Sequence, residues 1–221
     1  MRTNTGRLKL AGGFLEPQSR YDLEDVHTSA TRDGDGYRLS GHKAVVLAGD
    51  SADLFILSAR ASDTGDICLF LVDAKADGLS RHSYRNMDGR GAADLHLTNV
   101  KLDTGSLLAC GEQALAALHR STDRAVAAYM AESLGAFGEI NEMTLEYLRT
   151  RSQFGRPIGK FQVLQHRMVD MQMDYEYALS MVYRAAMVAD AADPAERARE
   201  ISAAKVFLGE HGRTAYLAAI Q

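Results

Sequence analysis

The chain has no tryptophan, two cysteines and three prolines among its 221 residues. Two cysteines are too few for a disulfide scaffold or a cysteine-rich zinc module. Cys68 and Cys110 share no metal-ligand spacing, so no metal site is expected. No apolar run approaches the roughly 18 residues of a membrane-spanning helix. Met1 to Thr5 carries one arginine with no apolar signal core behind it. A strong charge bias is also lacking. The 25 basic and 29 acidic side chains leave a net charge of −4, which argues against a general nucleic-acid binder. With 46% hydrophobic and 24% charged residues, the composition is that of a globular chain. The default expectation is a soluble, cytoplasmic protein of a reducing compartment, built as one large domain or two small ones.

Two textures are present, and they change near Thr104-Gly105. In the first, Val26, Thr28 and Ala30 alternate with His27, Ser29 and Thr31, a period-two strand signal. Asp33 to Gly36 follows as a turn before Tyr37-Arg38-Leu39, which predicts a hairpin. Further strands are expected over 43–48, 54–59, 67–72 and 94–100, punctuated by Gly and Asp. In the second texture, residues 112–150 contain no proline. Ala127, Met130, Leu134, Phe137, Asn141, Leu145 and Leu148 trace one helical face. Gly135 and Gly138 inside that helix suggest close approach by a neighbour. A break at Gly155 to Gly159 leads into a second helix from about 161 to 189. Asp193 then caps a third, with Pro194 at its first position.

Chemistry concentrates between Tyr147 and Met171. Arg149, Arg151, Arg156 and Lys160 form a basic cluster around the Gly-Pro break. Free N–H groups at a helix start, beside guanidinium groups, suit a phosphate or pyrophosphate. Phe154 and Phe161 suit a planar ring. Composition alone favours an ordinary helix–helix turn with solvated arginines.

The pattern Arg151-x-Gln153-Phe154-Gly155-x-Pro157-Ile158-x-x-Phe161-Gln162-x-x-Gln165-His166 closely resembles the signature of the acyl-CoA dehydrogenase superfamily. Leu15-Glu16-Pro17-Gln18-Ser19-Arg20-Tyr21-Asp22 has the frame of that family's Glu-Pro loop, and residues 36–43 look like its β-domain hairpin. The wording of the loop resembles the small-subunit, pimeloyl-CoA dehydrogenase-like branch. The resemblance implies an α+β chain. An antiparallel β-barrel or sandwich (1–104) would precede part of an up-down α-helical bundle (105–221), with the family's N-terminal helical domain and late helices outside the chain.

By the same resemblance the cofactor is FAD and the reaction is α,β-dehydrogenation of an acyl-CoA thioester. Arg151, Gln153, Phe154, Phe161 and Gln162 would contact FAD across a subunit interface. Leu15 and Leu47 occupy flavin-contacting positions where the family usually has hydroxyls, and Val45 stands where it has tryptophan. Tyr21, Ser121 and Arg124 fall at substrate positions. The usual late-helix glutamate would lie beyond Gln221, which leaves Asp123, just before Arg124, as the candidate base; otherwise it is a first-turn aspartate favoured by the helix dipole. Implied partners are an acyl-CoA, an electron-accepting flavoprotein and further subunits of a homo- or hetero-oligomer. The alternative is a non-catalytic subunit that completes the FAD site of a partner dehydrogenase.

Overall fold

The computed structural model describes Gly6 and residues 8–221; the Met1–Thr5 run lies outside the described residues. Eight strands, β1 (Leu10–Gly13), β2 (Ser29–Asp33), β3 (Gly36–Leu47), β4 (Leu54–Ala61), β5 (Ile67–Asp73), β6 (Leu79–Arg85), β7 (Gly91–Leu102) and β8 (Leu107–Cys110), form one sheet. They are followed by α1 (Glu112–Thr150), a two-stranded hairpin of β9 (Ser152–Gln153) and β10 (Arg156–Pro157), then α2 (Gln162–Val188) and α3 (Pro194–Ile220). The chain divides into compact units at His119–Arg120, within α1. The mixed α+β class follows the expectation.

The sheet runs β6-β7-β3-β2-β4-β5-β8, with β1 also paired to β4. Contrary to expectation it is not wholly antiparallel: β1 and β2 both run parallel to β4. The β2–β3 hairpin turns through Gly34 at φ 61° and closes on Asp33 opposite Gly36, where the sequence placed it. The inner face buries Leu39, Val46, Phe55, Leu57, Phe70, Val72, Leu95 and Val100. Cys68 and Cys110, too few for a scaffold, nevertheless face each other on β5 and β8 and are joined as a disulfide, which runs against the expectation of a reducing compartment.

The helical unit has a separate core. Ala127, Met130, Leu134 and Phe137 of α1 are buried with Met171, Ala178 and Val182 of α2 and Ile201, Ala204 and Leu208 of α3. Asn141 lies on the same face, buried, and its amide donates to the Met171 carbonyl at 3.3 Å. A Cβ on Gly138 would come within 3.2 Å of Tyr175, so that glycine does admit a neighbour. One on Gly135 would meet nothing, so that expectation fails. Asp193 caps α3 as expected, accepting from the Ala195 N–H at 2.9 Å ahead of Pro194. Among the described residues, no helix is long and apolar enough to cross a membrane.

Candidate functional site

In the helical unit, the basic cluster surrounds a tight hairpin. Gln153 pairs with Arg156, so Phe154 and Gly155 are the two central residues, at φ 53° and 79°. Two positive φ values define a type I′ turn, which glycine accepts easily and a bulky aromatic does not. Phe154 is nevertheless there, and it is 91% exposed. A strained backbone that holds a large apolar ring in solvent is a feature that packing alone does not reward. The Ile158 N–H donates to the Arg151 carbonyl at 2.8 Å, closing the base of the hairpin. Gly159 has no room for a side chain, because a Cβ would lie 2.8 Å from the Leu148 carbonyl oxygen.

Around the Phe154 tip stand the residues predicted from sequence. Phe161 meets Phe154 edge-on, with ring centroids 6.2 Å apart, and the Arg156 guanidinium lies 4.3 Å from the Phe161 centroid, a cation–π contact. Arg151 and Gln153 are exposed. Phe161 is the N-cap of α2 and supplies no side-chain cap, so Gln162 opens a helix whose first N–H groups are not capped by a side chain. Guanidinium groups, an amide, a helix N-terminus and an exposed ring are the group types that suit an anionic group joined to a planar one; the Gln153 amide here donates to the Ser152 carbonyl at 2.8 Å. Two grooves of this unit lie elsewhere. One of about 320 Å³ is lined by Met130, Lys205, Leu208, Arg213 and Tyr216, and no hairpin residue borders it.

The sheet unit, described by itself, carries an apolar lip. Val45 and Leu47 are 46% and 45% exposed, Leu15 is half-buried, and the Leu15 carbonyl accepts from the Ala44 N–H at 2.9 Å. Tyr21 is almost fully exposed on the Glu-Pro loop. Under the lip lies a pair that sequence reasoning missed. Lys43 Nζ reaches Glu16 Oε1 at 2.6 Å and Ser58 Oγ at 3.0 Å, with both charges almost wholly buried. Glu16 also accepts from the backbone N–H groups of His27 (2.8 Å) and Thr28 (3.0 Å), which fixes the Glu-Pro loop against β2. Burial alone would raise the Glu16 pKa. The Lys43 ammonium, with the Thr28 and Gln18 hydrogen bonds, overrides that and lowers it from 4.5 to about 2. Burial lowers the Lys43 pKa, and Glu16 opposes that shift. The available signal was a lysine at the head of the apolar run 44–48, but its partner lies 27 residues away.

Two expectations about the base need correction. Asp123 does not open the first long helix, because α1 begins at Glu112 and Asp123 lies three turns inside it. Nor is its carboxylate free. The buried Arg197 donates to it through Nε at 2.7 Å and to the Ala191 carbonyl through a terminal nitrogen at 3.0 Å. The group is a strut between α1 and α3, a poor arrangement for a carboxylate that must reach and take a proton. Arg124, expected to orient that carboxylate or bind substrate, pairs with Asp190 at 2.8 Å. Ser121 is exposed on α1.

Comparison with known proteins agrees with the signature around this hairpin. Residues 112–221 match the model of the acyl-CoA dehydrogenase C-terminal domain, and residues 11–100 match that of the middle domain. The chain belongs to the acyl-CoA dehydrogenase family. It is 32% identical to cyclohexane-1-carbonyl-CoA dehydrogenase of Geobacter metallireducens, over 79% of this chain and 47% of that protein. Among solved structures, "PigA with FAD and proline" superposes with a TM-score of 0.90 at 27% identity, covering 98% of this chain and 58% of that one. The ChsE4-ChsE5 complex from Mycobacterium tuberculosis superposes at 0.82 with 26% identity, covering 97% and 55%. The chain therefore spans about half the length of the relatives it matches.

Proposed function

We propose that this chain is part of an FAD-dependent acyl-CoA dehydrogenase of the CH–CH oxidoreductase class, and that its hairpin holds the diphosphate and adenine end of FAD. The observation that carries this reading is Phe154, strained and exposed between Arg151, Gln153 and the start of α2. Arg151 would meet phosphate oxygens, while Gln153 and the first turn of α2 donate beside it. Phe154 would flank the adenine, and Phe161, already covered by Arg156, braces the hairpin. Bound FAD supplies the acceptor for the hydride that leaves the acyl β-carbon. Taken by itself, the sheet unit would offer a flavin ring apolar contact through Val45, Leu47 and Leu15, with no side-chain hydroxyl at those three positions. The family relationship and the FAD-bound neighbour support the cofactor; the acyl-CoA name of the Geobacter relative supports the substrate class. We place the protein in fatty-acid or related acyl-CoA metabolism, passing electrons to an electron-accepting flavoprotein.

A second reading has its own observation. With Asp123 committed to Arg197 and no hydroxyl on the lip, the chain suits a non-catalytic subunit that lends its hairpin to the FAD site of a partner dehydrogenase. The likeness to a two-protein complex supports such a hetero-oligomer. The test is to purify the chain alone and with candidate partner dehydrogenases, and to record the flavin spectrum. Flavin bound by the chain alone favours the first reading; flavin acquired only with a partner favours the second. In either case Arg151→Ala weakens FAD retention about tenfold, the loss of roughly one charge-assisted contact. Unchanged retention overturns the hairpin assignment.

A further inference from the structure

We propose that Asp94 and Tyr84 are positioning residues for the flavin-facing lip of the sheet unit: they form a side-chain clamp that holds a strained bulge and so decides which residues of β3 make the apolar lip. This inference rests on the FAD reading above. It begins with an irregularity in burial. Lys43 and Val46 are both fully buried although three residues apart, whereas an unbroken strand points residues two apart to the same side. The register shows where the extra residue goes. Lys43 pairs with Leu95 and Val46 with Ala93, so Ala44 and Val45 together stand against the single residue Asp94.

The bulge is held by hydrogen bonds on both sides. The Ala44 N–H donates to the Leu15 carbonyl at 2.9 Å. The Val45 N–H donates to Asp94 Oδ1, also at 2.9 Å, so a carboxylate stands in for the carbonyl that a regular ladder would provide. The Tyr84 hydroxyl donates to the same oxygen at 2.8 Å and fixes it from β6. Val45 lies at φ 52°, where a β-branched residue is an outlier that persists only if its surroundings over-determine it. Without the bulge, continuing the alternation from Lys43 would turn Val45 and Leu47 into the core and Val46 out. With it, Val45 and Leu47 face solvent as the lip. Geometry and charge agree. Burial would raise the Asp94 pKa, but the Val45 N–H, Tyr84 and the nearby His42 and His82 hold it below the usual carboxylate range, while burial and Asp94 push the Tyr84 hydroxyl up. The acceptor and donor thus keep their roles around neutral pH. The other group close by is His96, stacked on His42 at 4.0 Å.

The clamp makes a prediction that a merely stabilising contact does not. The test uses the chain in whichever flavin-bound form it is obtained, alone or with its partner, and compares Asp94→Leu, Asp94→Asn, Tyr84→Phe and Val45→Gly. Melting temperatures and the visible spectrum of bound FAD are recorded. Asp94→Leu lowers the melting temperature and shifts the flavin bands. Asp94→Asn, whose amide oxygen still accepts both bonds, restores both readings. In a Val45→Gly background, where the positive φ costs nothing, Asp94→Leu has a much smaller effect on melting. If Asp94→Leu does not fold, Tyr84→Phe carries the spectral test with a smaller shift in the same direction. Equal melting losses with and without the Val45→Gly change overturn the clamp. A melting loss with unmoved flavin bands overturns the positioning role and leaves only a fold role. Wild-type protein that takes up no FAD, alone or partnered, overturns the FAD reading itself and this inference with it.

Discussion

A lysine and a glutamate with almost no exposed surface are an expensive way to join a loop to a sheet. The Glu16–Lys43 pair holds because nearly every lone pair and proton is used: Glu16 receives Lys43, Gln18 and two backbone N–H groups, and Lys43 also reaches Ser58. Breaking such a pair from one side strands a buried charge and costs about 3–5 kcal/mol, more than the pair itself contributes. Lys43→Met should therefore lower the denaturant midpoint more than the double variant Glu16→Gln/Lys43→Met, as read in urea titrations. The pH dependence has a definite sign. The folded-state pKa of Glu16 is depressed to about 2 from 4.5, so its contribution is complete above about pH 4.5 and is lost as pH falls towards 2. That contribution is on the order of 3 kcal/mol. Stability should fall steeply across that window in the wild type and more gently in the double variant; parallel curves would refute the assignment. Sequence alone showed Glu16 only as a letter of a loop motif and Lys43 only as the start of a strand. A contact across 27 residues leaves no local periodicity.

At the scale of elements, the helices were legible because burying one face imposes a repeat of three to four residues, and that repeat is written into α1 from Ala127 to Leu148. The strands were read where one face is buried. β6 was missed because most of Leu79–Arg85 is exposed, so no apolar alternation marks it. β3 was read as two strands because a register shift between Leu39 and Gly41 interrupts its period. The hairpin at Phe154 was legible only through its resemblance to a family signature, since composition alone favoured a solvated turn. Asp123 was placed at a helix start because the same resemblance located it there, while the helix in fact begins at Glu112. As a strut, the Asp123–Arg197 pair makes a stability prediction. Asp123→Ala should destabilise the helical unit by about 3 kcal/mol, the cost of leaving Arg197 buried and unpaired. The double variant Asp123→Ala/Arg197→Met should recover part of that loss. A carboxylate serving as the base would give the opposite pattern, with melting unchanged and turnover lost.

At the scale of the molecule, the two units have cores that share no residue. The apolar cluster of the sheet unit ends at Cys110, and that of the helical unit begins at Val126. Composition hinted at this through the change of texture near Thr104, but the backbone continues as α1 through the division at His119–Arg120, so no linker marks it. The Cys68–Cys110 disulfide belongs wholly to the sheet unit and closes a loop with a sequence separation of 42 residues. In the chain-entropy account, a loop of that size stabilises the folded state by about 4 kcal/mol relative to the reduced chain. Dithiothreitol should therefore lower the melting transition of the sheet unit and leave that of the helical unit nearly unmoved, because the helical core contains no part of the loop. Hydrogen exchange resolved by segment separates the two: protection should fall across β4, β5 and β8 on reduction and persist in α2 and α3. Cys110→Ser should behave like the reduced wild type and show no further response to dithiothreitol. A uniform loss of protection across both units would show instead that the two cores melt as one cooperative body.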